Sequence, residues 1–329
     1  MLGKSAGTKQ WIRYVTSFLM VAMLVVSGCS SSKKVAYPEK PVEMSVLFGA
    51  GTSADLIARR LGDGMAKEMK VAVPVVNRTG GGGAVGYTYV KGQKADGYSI
   101  VWNSNSVSTA HYSGNMSFDY TAFEPVARVS IETVALAVKA DAPWQTLKDF
   151  VAYAKQNPGK VKIGNSGLGS FTHIVAAAMA KEAGIQVIHV PFGSGQEVAN
   201  LLGGKVDAVM QLPAGLNSQV AAGTLRLLGV SSESRDSSFP DTPTLKEQGV
   251  NLVMDMWRGL AVPKGTPPEV IKALDTAAKK VAESKEFAAD GTKLGYKAAY
   301  LSASQFGKLI ADDDKRIGQL MTDLGLSKK

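Results

Sequence analysis

The sequence predicts an α/β fold in two lobes, built on largely parallel strands. Three observations carry this. Short apolar strand candidates alternate with amphipathic helix candidates from residue 42 to 138, and a second series of the same kind follows from 139 to 254. Small-residue loops rich in Gly and Ser join strand to helix in both. With 329 residues, the chain suits two modest cores better than one large one.

Residues 42–48 read as the first strand, followed by the tight loop Gly49-Ala50-Gly51-Thr52-Ser53. A helix is expected over 54–69, because Ile57, Leu61 and Met65 recur four apart and share a face. Thr52 or Ser53 is placed to cap it, and Asp55 sits in its positive first turn. A strand over 71–76, a glycine loop over 77–83 and a short helix over 84–90 come next. Asp96-Gly97 turns the chain into a strand over 98–102.

In the second series, strands are expected over 132–138, 162–164, 187–190, 208–212 and 225–230. Helices are expected over 143–154, capped by Thr146, and over 172–183, 196–202 and 215–222. Residues 258–263 read as a return segment. Pro268 opens a helix where its missing N–H does no harm, and Val270, Ile271, Leu274, Ala277, Ala278 and Val281 line one face. The last helix starts near Ser302, which has capping-box spacing to Gln305. Its stripe is Phe306, Leu309, Ile310, Ile317 and Leu324. Lobe one is expected to use 42–138 plus 255–329, and lobe two 139–254. Two crossings between them make a hinge, and the intervening cleft is the default ligand site.

Hydrophobic residues make up 45% and charged residues 20%, which excludes global disorder and fibrous repeats. The net charge of +9 overstates the folded part. Lys4, Lys9 and Arg13 lie in the leader, and +6 remains from Cys29 onward. That modest excess gives no nucleic-acid footprint. The start of the chain reads as a processing signal. A basic segment precedes an uncharged apolar run over 15–26, too short to span a bilayer comfortably. Val26-Ser27-Gly28-Cys29 resembles a bacterial lipobox ending at the chain's single cysteine. Cleavage of 1–28 and acylation of the Cys29 thiol are expected, with 29–41 as a polar tether. One cysteine allows no internal disulfide and no cysteine-based zinc cluster. Ser30 after the cysteine resembles outer-membrane sorting in a cell with two membranes.

Catalytic signatures are missing. His111, His173 and His189 lack metal-ligand spacing, no Gly-x-Ser-x-Gly elbow follows a strand, and no complete Walker A or dinucleotide loop occurs. No cofactor, no metal and no enzymatic activity are expected. Three loops are more informative: residues 49–55, residues 77–83 and residues 165–170. Each follows a strand and precedes a helix, where unpaired backbone N–H groups and the helix dipole favour an anion. Hydroxyls of Thr52, Ser53, Ser166 and Ser170 would add donors. His173, near a helix start, could hydrogen-bond a ligand, but a structural role is the plainer reading; His189 reads as structural.

The motifs occur in an order that resembles the substrate-binding proteins of tripartite tricarboxylate transporters, the TctC/Bug family. They run from Leu47-Phe48-Gly49-Ala50-Gly51-Thr52-Ser53-Ala54-Asp55 through Val76-Asn77-Arg78-Thr79-Gly80-Gly81-Gly82 to Tyr153-Ala154-Lys155-Gln156-Asn157-Pro158-Gly159. Gly164-Asn165-Ser166-Gly167-Leu168-Gly169-Ser170, Leu202-Gly203-Gly204-Lys205-Val206-Asp207 and Trp257-Arg258-Gly259-Leu260 continue the match. Leu47 and Gly51-Thr52 depart from the family's usual proline and Gly-Gly pair. The resemblance implies a two-lobed type II periplasmic binding protein fold with a ligand cleft between the lobes. It implies an extracytoplasmic, monomeric receptor for a small organic acid, with integral-membrane transporter subunits as partners. Carried over residue by residue, the ligand site would use Ala50, Thr52, Ser53, Asp55, Ser166, Gly169, Ser170 and Thr172, with His173 and Asp207 as further candidates. A ligand-sensing module of a signalling system is the alternative that the sequence leaves open.

Overall fold

The computed structural model describes residues 37–193 and 195–328. The expected leader, Cys29 and most of the tether lie outside the described residues. The chain opens with β1 (Glu43–Val46), α1 (Ser53–Met69), β2 (Val75–Asn77), α2 (Ala84–Lys91), β3 (Ser99–Ser104) and α3 (Ser106–Tyr112). β4 (Phe123–Glu132) leads to β5 (Ala135–Lys139), α4 (Leu147–Gln156), β6 (Lys162–Asn165), α5 (Phe171–Ala183) and β7 (Ile188–Pro191). Next come α6 (Glu197–Leu202), β8 (Ala208–Gln211), α7 (Pro213–Ala221) and β9 (Leu225–Val230). β10 (Met256–Pro263), α8 (Pro268–Ala282), α9 (Lys285–Leu294), β11 (Lys297–Ser302) and α10 (Ala303–Asp323) complete the fold.

Two sheets result. One has the order β11-β4-β10-β3-β1-β2, the other β7-β6-β8-β5-β9. Both are mixed, which corrects the expectation of largely parallel strands. β1 pairs parallel with β2 and β3, and β6 with β7 and β8. The chain leaves the first sheet along β4 and re-enters along β10, so these neighbours run antiparallel. β5 enters the second sheet and β9 leaves it, and they too are antiparallel. The strand expected over 132–138 is in fact split: β4 ends at Glu132 and β5 begins at Ala135 in the other sheet. The first crossing therefore falls at 133–134, ahead of the expected 138/139, and the second spans 231–255.

β5 shows how one strand feeds two cores. Leu136 and Val138 face a cluster with Phe150, Phe171 and Ile174, while Ala135 and Ala137 face Leu201, Leu216 and Val230. α10 reaches both sheets. Trp257 of β10 meets Phe306 edge to face, whereas Ile317 and Met321, farther along the helix, join the core on β5, β6 and β8. Two of the three expected caps form as capping boxes, Thr146 with Asp149 and Ser302 with Gln305, while the one at the start of α1 does not.

Candidate functional site

A cavity of about 260 Å³ lies where the first turns of α1 and α5 meet, walled also by residues of α6, α7 and β10. Thr52, Ser53, Ser166, Ser170 and Thr172 line it, so the first and third loops share one space. The second does not reach it. Gly80 to Gly83 all take positive φ, and a Cβ on Gly82 would stand 3.3 Å from the Gly169 carbonyl. The absence of side chains there lets two backbones approach.

The first loop is shaped from behind by Asp55. Its carboxylate accepts from the Gly51 N–H at 3.0 Å, from Asn77 Nδ2 at 2.9 Å and from Arg59 through Nε and Nη2 at 3.1 and 2.8 Å. Burial alone would raise this carboxyl, but the hydrogen bonds from Arg59, Gly51 and Asn77 prevail and hold it below the usual range. Asp55 therefore fixes the loop and does not line the cavity. Thr52 occupies the N-cap of α1, yet its hydroxyl donates to the Gly49 carbonyl at 2.7 Å and caps nothing. The first-turn N–H groups are left without a side-chain acceptor from the cap.

α5 is built differently. Ser170 Oγ accepts from the His173 N–H at 3.3 Å as an N-cap, and Thr172 Oγ1 accepts from the Ser166 N–H at 3.0 Å. Gly169 donates its N–H to His173 Nδ1 at 3.2 Å, so both residues serve the loop's own geometry behind the cavity wall. Burial, helped by His189 packed edge to face at 5.1 Å, pushes His173 down to about 4, a neutral acceptor at ordinary pH. Ala50 sits on an exposed turn beside the cavity. Asp207 accepts from the Lys162 N–H at 2.8 Å. That holds it at the start of β6, the end of the strand away from Ser166. Ala50, Asp55, Gly169, His173 and Asp207 thus stand outside the lining.

Several lining residues went unread in the sequence, chiefly Glu197, Gln211, Met256 and Arg258. Arg258 is fully enclosed and pairs through Nε with Glu132 Oε2 at 2.5 Å. Ser53 donates its hydroxyl to the other oxygen of Glu132. One buried carboxylate thereby ties α1 to β10. Among the described residues, no cluster of His, Cys, Asp and Glu is arranged to hold a metal ion.

The profile of the tripartite tricarboxylate transporter family receptor matches residues 57–326. The chain belongs to this family. A relative encoded in the gbd 5' region of Cupriavidus necator is 31% identical over 89% of this chain and 90% of its own. The solved periplasmic binding protein BugD is 28% identical with a TM-score of 0.84, covering 89% of this chain and 100% of its own. A solute-binding protein of the same family from Polaromonas is 33% identical with a TM-score of 0.68, over 87% and 99%. The receptor therefore has the two-lobed α/β architecture of type II periplasmic binding proteins. It is a solute-binding member of the family, consistent with an extracytoplasmic, non-catalytic role.

Proposed function

We propose that this receptor binds a small organic anion, a carboxylate, in the cavity between α1 and α5 and hands it to integral-membrane transporter subunits. The convergence of two helix N-termini on one space carries the reading. Their dipoles and first-turn N–H groups favour negative charge, and hydroxyls of Ser166 and Ser170 supply neutral donors around it. The connections at 133–134 and 231–255 act as the hinge between the lobes. A thermal-shift screen of organic acids, followed by calorimetry, tests this. A true ligand raises the melting temperature by mass action, increasingly with its concentration, and is recovered unchanged. If no acid shifts melting, the reading falls.

The leader motif supports anchoring at a membrane through acylated Cys29. Cys29→Ala is expected to abolish palmitate incorporation while the domain still folds. Undiminished incorporation would refute the anchor.

A further inference from the structure

Of the residues lining the cavity, two carry charge, Arg258 of β10 and Glu197 at the start of α6. Both are 1% exposed. They come from opposite sheets' surroundings, and no ion pair joins them among the described residues. Each retains an unmet hydrogen-bonding atom. Arg258 Nη1 lacks an acceptor, and Glu197 Oε1 lacks a donor. A buried charge without its partner is costly, so such atoms await a group that the protein does not supply.

The charges are unequal in their needs. Arg258 is already neutralised by Glu132 behind it, whereas Glu197 faces the cavity with no cation of its own. A ligand that is only a multiple anion would leave Glu197 uncompensated and set like charges together in a closed site. A ligand with one cationic donor and one carboxylate satisfies both atoms. We infer that the receptor selects an ammonium carboxylate, an amino-acid-like zwitterion whose ammonium group pairs with Glu197. Its carboxylate lies among the helix N-termini and Arg258 Nη1. This rests on the carboxylate reading above and narrows it.

The test uses matched pairs of probes that differ by one amino group: propionate and alanine, succinate and aspartate, glutarate and glutamate, 4-methylpentanoate and leucine, 3-phenylpropionate and phenylalanine. Calorimetry on the wild-type receptor is expected to give the amino member of at least one pair an affinity roughly tenfold to a hundredfold higher, as a charge-assisted contact supplies. In Glu197→Gln that ratio should collapse to within about threefold. Glu197→Ala, which only enlarges an existing cavity, is the second variant should the first fail to fold. Binding of the amine-free acids as tightly as their amino partners would overturn the inference and leave the carboxylate reading standing. An amino preference that survives in both variants would remove Glu197 from the role. Binding to no member of any pair would overturn this inference, while the carboxylate reading stands or falls on the wider acid screen.

Discussion

Arg258 Nε donates to Glu132 Oε2 across 2.5 Å, with side-chain exposures of only 1% and 0%. The two residues sit on neighbouring strands, one where the chain leaves the first sheet and the other where it returns. Arg258 is a wall of the cavity, and the pair is a clasp between the two ends of the crossing. Ser53 extends it to α1 through its hydroxyl on Glu132 Oε1.

Breaking such a pair from one side strands the other charge in a low-dielectric interior. Arg258→Met is expected to destabilise the fold by about 3–5 kcal/mol in urea denaturation. The double variant with Glu132→Met should recover more than half of that loss, because an apolar pair of similar volume escapes the desolvation penalty. Strict additivity of the two single changes would show that the residues are not coupled.

These same residues mark what the sequence could and could not convey. The helices with regular spacing, α1, α8 and α10, were legible because Ile57, Leu61 and Met65, or Val270, Leu274 and Val281, each recur on one buried face. Capping chemistry placed Thr146 and Ser302. β4 was not legible as a strand. Pro125 interrupts it, and Glu124, Arg128 and Glu132 break its apolar pattern, yet long antiparallel pairing with β10 sustains it. α3, α9 and β11 also escaped reading. α3 is a run of small polar residues made helical by burial, a tertiary effect that local spacing cannot report. In the site, glycine loops pointed to Ser53 and Ser170, but not to Glu197 or Arg258, which line the cavity from elements far apart in the sequence. A lone arginine in the apolar run of β10 was the available signal, since a charge in a buried strand requires a partner.

Stability should depend on acid through His173. Burial holds it at about 4, below the ~6.5 of an unfolded histidine. The unfolded chain takes the proton first as pH falls, so the stabilisation is complete above about 6.5 and is lost on the way down to 4. The shift corresponds to about 3 kcal/mol. Asp255 acts in the opposite sense. Burial raises its carboxyl to about 6, and its contribution is lost as pH rises through that value. His173→Asn keeps an acceptor for the Gly169 N–H but cannot titrate. Urea midpoints at pH 7, 5.5 and 4.5 should fall more steeply in the wild type than in His173→Asn. Parallel curves would exclude the histidine as the source.

A second buried carboxylate latches α10 to the crossing. Asp313 Oδ2 accepts from Trp257 Nε1 at 2.8 Å and from Asn105 Nδ2 at 2.7 Å, and Asn105 Oδ1 in turn accepts from the Trp257 N–H at 2.9 Å. Asp313→Leu leaves Trp257 Nε1 without an acceptor and Asn105 Nδ2 with only the Asp255 carbonyl at 3.4 Å, and should cost about 2–4 kcal/mol in chemical denaturation. Arg316, whose side chain is 54% exposed, also binds Asp313 at 2.7 Å. Arg316→Ala should change stability by less than about 1 kcal/mol. Equal losses in the two variants would place the strength of the latch at the surface, against this account.

The anion grip is tested at Ser170, which both lines the cavity and caps α5. Ser170→Ala removes one hydroxyl and should weaken carboxylate binding by about 1–2 kcal/mol, because backbone N–H groups carry most of the contact. It also removes the cap, lowering stability by about 1 kcal/mol. Ser170→Asp separates the two roles. Aspartate is an equally good N-cap, so the bond to the His173 N–H and the ligand-free melting temperature should persist. Its carboxylate, however, occupies the region where the ligand's own charge belongs, and like charges in a closed site repel strongly. Binding in Ser170→Asp should therefore fall well below that in Ser170→Ala, although the aspartate variant is the more stable protein. Calorimetry with the acid found in the thermal-shift screen, read beside the two melting temperatures, decides the matter. A folded Ser170→Asp receptor with undiminished affinity would mean that the N-terminus of α5 does not hold the anion.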